Sequence, residues 1–268
     1  MTIKEFFTAN NKKMDKNQAR DFAWVLVERL KAEPIEWGAK PITTREQTAI
    51  KKEIKRLLAG EPLGQILGFV PFLDCEIKVT KDVLIPRSET EQLCEIIINE
   101  HEGVPTRILD ICTGSGCIAV ALAKNLPAYV LATDISEDAV SVARQNALAN
   151  LAQVDFVVGD LCERVEGVFD VIVSNPPYLN KREMDTLPQS VKDYEPHLAL
   201  FGGDDGLDFY RRLVEVVPKH LNSGGVVYLE VGDAQADQVA EIFSHDFDCR
   251  IVADYYGFDR FVIARSKK

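Results

Sequence analysis

The feature that most constrains this chain is a strand–helix alternation that begins at Thr106. Short runs rich in β-branched residues recur at 107–111, 129–133, 154–158, 169–173 and 226–231, with helix-forming stretches at 116–125, 136–150 and 206–220. Such an order builds a mostly parallel sheet that needs helices on both faces, so its strands read as continuous apolar runs. The end differs. Strands at 249–253 and 260–264 are separated only by 254–259, too short for a crossover helix, so the last strand is expected to run antiparallel. The fold class is therefore α/β, Rossmann-like.

The first part of the chain has another period. Between Asp15 and Lys31 the apolar residues Ala19, Phe22, Ala23, Leu26, Val27 and Leu30 fall on one helical stripe, with Asp15 as N-cap. Thr43 and Thr44, followed three residues later by Glu46 and Gln47, give overlapping capping boxes for a second helix carrying Ile50, Ile54, Leu57 and Leu58. Phe69 to Phe72, then Cys75, Ile77 and Val79, alternate as a β-hairpin. The expected organisation is a helical bundle over 1–68, a hairpin connector over 69–86, and the α/β domain over 87–268.

Composition excludes several classes. A net charge of −11 argues against broad binding to nucleic acid, which rests on Lys and Arg neutralising phosphates. The cysteines at 75, 94, 112, 117, 162 and 249 contain no Cys-x-x-Cys pair, and the 4 histidines show no zinc spacing, so reduced thiols and no metal are expected. No segment reads as a signal peptide or a membrane span, so a cytoplasmic protein is expected.

Four signals coincide at the carboxyl ends of successive strands, the edge at which open α/β sheets bind ligands. After the first strand comes Asp110-Ile-Cys112-Thr113-Gly114-Ser115-Gly116, a glycine loop before a helix N-terminus. After the second comes Asp134, roughly 20 residues beyond Gly114, where a carboxylate grips ribose hydroxyls. After the third come Asp160 and Leu161, at the height of an adenine ring. After the fourth comes Asn175-Pro176-Pro177-Tyr178. Its prolines fix φ and remove two donors, and Asn175 is pushed into an extended conformation. The Asn175 side-chain oxygen and the Pro176 carbonyl can each accept one hydrogen of a planar NH2 group, while Tyr178 walls the pocket. A plain strand-ending turn is the bland alternative for these residues, as capping and surface ion pairing is for Arg87 and Glu91.

An adenosine pocket beside an amide-gripping turn suggests methyl transfer from S-adenosyl-L-methionine. The chain resembles the release-factor glutamine methyltransferases (PrmC/HemK type) over nearly its whole length. The resemblance is carried by Ile85-Pro-Arg87-Ser-Glu-Thr-Glu91, the glycine loop, Asn175-Pro-Pro-Tyr178, Tyr194-Glu-Pro-His-Leu-Ala-Leu200 and Gly202-Gly-Asp-Asp-Gly-Leu-Asp-Phe-Tyr210. One departure is Cys112, where the family usually carries glycine. The resemblance implies a class I methyltransferase that modifies the side-chain amide nitrogen of the glutamine in the Gly-Gly-Gln motif of peptide-chain release factors, leaving S-adenosyl-L-homocysteine. It implies substrate contacts at Asn175, Pro176, Pro177, Tyr178 and Arg87, and cofactor contacts at Asp110, Cys112, Thr113, Gly114, Ser115, Gly116, Asp134, Asp160, Leu161 and Asn175. It further implies that the helical domain grips the body of the release factor, and that the protein is a monomer. The rival readings are an adenine-N6 nucleic-acid methyltransferase, a non-catalytic cofactor-binding adaptor of the translation machinery, and a nicotinamide dehydrogenase. The last leaves the Asn-Pro-Pro-Tyr turn unexplained.

Overall fold

A computed structural model describes residues 1–267, which divide into two compact units: 1–69 with 188–194, and 70–187 with 195–267.

The smaller unit contains α1 (Ile3–Asn10), α2 (Lys16–Leu30), α3 (Thr44–Leu58) and α4 (Leu63–Leu67). Capping boxes start the first three. Asp15 and Gln18 satisfy each other's backbone donors on α2, and Thr43 with Glu46, not Thr44 with Gln47, opens α3. Phe22, Val25 and Leu26 of α2 pack with Ile50, Ile54 and Leu57 of α3 around Phe6 and Trp37. Arg29 ties the unit together by donating to Glu53 at 2.8 Å and to the Ile66 carbonyl at 3.0 Å. A segment far along the chain, ending at Tyr194, belongs here too, and Gln65 donates to the Tyr194 carbonyl.

The chain enters the larger unit within the hairpin β1 (Phe69–Phe72) and β2 (Cys75–Lys78), followed by α5 (Ser88–His101) and β3 (Thr106–Ile111). It continues through α6 (Cys117–Asn125), β4 (Ala128–Asp134), α7 (Glu137–Ala149), β5 (Val154–Val158) and β6 (Phe169–Ser174). The short helix α8 (Lys181–Thr186) precedes α9 (Gln189–Tyr194), which lies in the smaller unit. Then follow α10 (Asp208–Val216), β7 (Leu221–Glu230), α11 (Ala236–Phe243), β8 (Phe247–Ala253) and β9 (Asp259–Ser266).

The seven strands are ordered β5-β4-β3-β6-β7-β9-β8, and β9 runs antiparallel to both its neighbours. Side chains alternate between two cores, as the period of two requires. Ile108, Val171, Val173 and Tyr228 face the layer of α5, α6 and α7, and Leu109, Ile172, Val227 and Leu229 face α10 and α11. Helix α11 has an apolar stripe (Ala236, Val239, Phe243) that the alternation reading passes over.

The hairpin is more than a connector. Phe72, Cys75 and Ile77 are buried in the first core, and Asn146 of α7 clamps Lys78, accepting from its N–H at 2.8 Å and donating to its carbonyl at 3.0 Å. Glu91 differs from a capping role too: it accepts from Leu73 N at 2.8 Å and so holds the hairpin turn. Among the described residues no helix is long and apolar enough to cross a membrane, and no group of three His, Cys, Asp or Glu residues could hold a metal.

Candidate active site

Because β3, β4, β5, β6 and β7 are parallel neighbours, their carboxyl ends bring distant residues to one edge. A cavity there is lined by Thr113, Gly114, Ser115, Asp134, Asp160 and Asn175, among others.

The glycine loop is built on positive φ. Gly114 and Gly116 have φ of 54° and 78°, and a Cβ on Gly116 would lie 2.8 Å from that of Ala143, so the start of α6 rests directly on α7. Cys112 also has a positive φ, 63°. That is the physical reason a glycine suits this position. Cysteine holds it because its side chain packs against the second core, within hydrogen-bonding reach of Ser174, and burial pushes its thiol well above the ordinary value.

Asp134 braces the loop. Its Oδ2 accepts from Gly114 N at 2.8 Å and its Oδ1 from Ser136 N at 2.9 Å. A carboxylate has about four lone-pair sites, so each oxygen retains acceptor capacity toward a hydroxyl in the cavity. Burial raises the Asp134 pKa, and these backbone hydrogen bonds oppose the rise.

Asp110 is placed differently from the sequence expectation. It is fully buried beneath the loop and does not line the cavity. Its Oδ2 accepts from the Thr113 hydroxyl at 2.5 Å, its other oxygen has no hydrogen-bond partner, and burial pushes its pKa up to about 7. Asp160 reaches the cavity but is paired with Arg212 at 2.6 Å, so its carboxylate faces any ligand with a guanidinium attached. Leu161 is buried with φ 50° and lines the cavity. The orphaned hydroxyl of Thr133, also at the cavity, adds a polar group ready for a ligand.

In the Asn-Pro-Pro-Tyr turn, Asn175 and Pro177 line the cavity while Pro176 is buried. Tyr178, expected to wall the pocket, packs instead against the second core. Its carbonyl accepts from Gln235 at 2.9 Å, and burial raises its phenol pKa, with nearby Glu230 adding to the rise. Arg87, expected to contact substrate, does not line the cavity and pairs with buried Glu195 at 2.7 Å.

Sequence reasoning missed the support of Asn175. Its Nδ2 lies 3.1 Å from Thr90 Oγ1, and Thr90 Oγ1 lies 2.7 Å from Glu230 Oε2. Phe209 and Arg212 of α10, both at the cavity, were missed as well. Strand-end position could have found Glu230, the last residue of β7. Nothing local marks Thr90.

Glycine loop, strand-end carboxylate and Asn-Pro-Pro-Tyr turn on one sheet edge define a methyltransferase of the class I fold. The family model of the methyltransferase small domain matches residues 89–198. A methyltransferase from Pyrococcus furiosus shares the fold, with TM-score 0.57 and 22% identity over 83% of this chain and 98% of that one. The Mtq2 complex with Trm112 from E. cuniculi, responsible for methylation of the termination factor eRF1, aligns with TM-score 0.50 and 25% identity over 70% of this chain and 99% of that one. The release factor glutamine methyltransferase of Thermodesulfovibrio yellowstonii is 42% identical, covering 85% of this chain and 84% of its own length. That of Streptococcus pneumoniae is 39% identical over 83% and 81%. The chain belongs to the release factor glutamine methyltransferases.

Proposed function

We propose that this enzyme transfers a methyl group from S-adenosyl-L-methionine to the side-chain amide nitrogen of the glutamine in the Gly-Gly-Gln motif of peptide-chain release factors. The observation that carries the reading is the shared cavity: Asn175, at the end of β6, opens on the same space as Gly114 and Asp134. When bound, the cofactor supplies a methyl group already activated as a sulfonium.

Several features support the fit of such a cofactor: the lone pairs left on Asp134, the unpartnered Thr133 hydroxyl, and the apolar side chains of Phe209 and Leu198 at the cavity. Asp134 would hold the ribose hydroxyls, and Asp160 with Leu161 would meet the base. The chain's remaining task is orientation. An amide nitrogen is a poor nucleophile, since its lone pair is delocalised into the carbonyl. Asn175 Oδ1 and the Pro176 carbonyl would accept its two hydrogens, aim it along the line of displacement and push density toward nitrogen. Placement of this kind supplies about 7–11 kcal/mol in the best cases. The substrate proton leaves once nitrogen has been alkylated, so no dedicated base is required. The helical unit would hold the body of the release factor.

The test is incubation of the protein with labelled S-adenosyl-L-methionine and a release factor, alongside a Gln→Ala variant of its Gly-Gly-Gln motif and unmethylated DNA. Label on the wild-type factor alone supports the reading. Label on DNA replaces it with adenine methylation.

A further inference from the structure

The three residues Asn175, Thr90 and Glu230 come from the turn after β6, the first turn of α5 and the end of β7. Thr90 and Glu230 are 2% and 1% exposed. Their hydrogen bonds have a definite direction. An ionised carboxylate only accepts, so the single hydroxyl hydrogen of Thr90 must go to Glu230 Oε2 at 2.7 Å. The hydroxyl then has only lone pairs left for Asn175. The group facing it at 3.1 Å must be the amide NH2, which is also presented to the Glu230 carboxylate. Oδ1 is thereby turned away from both acceptors.

We propose that Thr90 and Glu230 are positioning residues that fix which end of the Asn175 amide faces the substrate. This rests on the reading that Asn175 accepts a hydrogen from the glutamine amide. An Asn175 turned the other way would oppose NH2 to NH2, two donors with no acceptor between them. The same relay polarises Asn175, since a donor bonded toward an anion makes the far oxygen of its amide a stronger acceptor. The consequence is a specific demand on charge: ionised Glu230 enforces the direction, whereas a protonated Glu230 can donate to Thr90 and release the hydroxyl hydrogen toward Asn175.

Burial, with Glu89 adding to it, raises Glu230 to about 7 against the downward pull of Thr90, Arg260 and Asn175. The other titratable groups facing it are Cys94, Cys117, Tyr178 and Tyr210, all neutral near pH 7 because desolvation raises each of them. Glu230 is therefore the group of this cluster that changes charge in that range.

The experiment compares Thr90→Val, Thr90→Ser, Glu230→Gln and Asn175→Ala in steady-state methylation of a release factor, with cofactor affinity and thermal melting measured on each. Thr90→Val keeps the shape and loses the hydroxyl, and is expected to lower kcat about 10- to 100-fold, with cofactor affinity within about twofold of wild type. Thr90→Ser restores the hydroxyl and is expected to recover most of that loss. The wild-type kcat is expected to fall as pH drops below about 7, and this acid limb is expected to vanish in Glu230→Gln. A wild-type kcat in Thr90→Val overturns the proposal, as does a Thr90→Ser variant as slow as Thr90→Val, which would assign the position to packing. An acid limb that persists in Glu230→Gln overturns the role of its charge. Asn175→Ala separates the two levels: full turnover there removes the underlying reading as well, whereas an inactive Asn175→Ala beside a fully active Thr90→Val removes the relay alone.

Discussion

Arg87 Nη2 donates to Glu195 Oε1 at 2.7 Å, across 108 positions of sequence, while the other Glu195 oxygen accepts from Ile85 N at 3.1 Å. One buried carboxylate thus clasps the Ile85-Pro-Arg87 segment against Glu195-Pro196. Both segments border the cavity, through Leu84 and Pro86 on one side and Pro196 and Leu198 on the other. The two partners are unequal, since the Glu195 side chain is 1% exposed and that of Arg87 36%.

The inequality predicts an asymmetric mutational response. Arg87→Met leaves a buried carboxylate short of its partner and is expected to destabilise by about 1–3 kcal/mol, less than a fully buried pair because Arg87 is partly solvated. Glu195→Gln leaves an arginine that can turn to water, keeps an acceptor for Ile85 N, and is expected to cost about half as much. Urea unfolding of both variants checks the order, and equal losses would contradict it.

Cys112 predicts an outcome from its backbone. At φ 63° a non-glycine residue carries strain of about 1 kcal/mol, which glycine relieves while giving up the packing beside Ser174. Cys112→Gly is therefore expected to change stability by less than about 1 kcal/mol and to leave cofactor affinity unchanged. Cys112→Val adds β-branching to a left-handed position and is expected to cost at least about 2 kcal/mol. Thermal melts and cofactor titration of the pair provide the check. A stable Val variant would show that the conformation is not held.

Much of this architecture was legible in the chain itself, because its signals are local. The apolar runs around Leu109, Leu131 and Ile172 specify strands buried on both faces, and the short 254–259 gap specifies the antiparallel β9. The parallel order then brings Gly114, Asp134, Asp160 and Asn175 to one edge. What was illegible is whatever depends on a distant partner. Thr90 meets Asn175 across 85 positions and Glu230 across 140, and neither pairing leaves a period or a motif. Arg87 reads as capping or substrate contact, Asp160 as base recognition and Asp110 as a cofactor ligand. Each also has a partner that no local signal marks: Glu195 for Arg87, Arg212 for Asp160 and Thr113 for Asp110. The segment ending at Tyr194 joins the helical unit for the same reason: its contacts lie more than a hundred residues away, with Gln65.

Gly202 lies against the turn that carries Asn175. A Cβ there would fall 2.6 Å from the Pro177 carbonyl oxygen and 2.7 Å from Tyr178 Cα, both backbone atoms that cannot swing aside. Gly202→Ala is expected to displace the turn and lower kcat about 100-fold, since misplacement by about 1 Å costs that much. The glycine loop is built on other residues, so cofactor affinity is expected to stay near wild type. Isothermal titration beside a turnover assay decides, and loss of both together would mean the whole sheet edge had moved.

Asp110 predicts how stability varies with pH. Its carboxyl ionises near 7 in the folded protein because burial disfavours the charge, against about 4 when unfolded. The folded state then holds a proton that the unfolded state releases, so between these values stability falls as pH rises. The contribution is fully present below about pH 4 and is lost as pH passes through about 7, by up to roughly 1.4 kcal/mol per pH unit crossed. Asp110→Asn keeps an oxygen to accept from the Thr113 hydroxyl and cannot ionise. Relative to wild type it is expected to gain stability steadily from pH 5 to pH 7.5, by about 1–3 kcal/mol overall. Subtracting the two proteins' urea unfolding free energies at each pH isolates this residue from Glu230, whose raised carboxyl acts in the same direction in both. A difference that stays flat across that range would show that Asp110 is ionised throughout, its charge met by the loop above it.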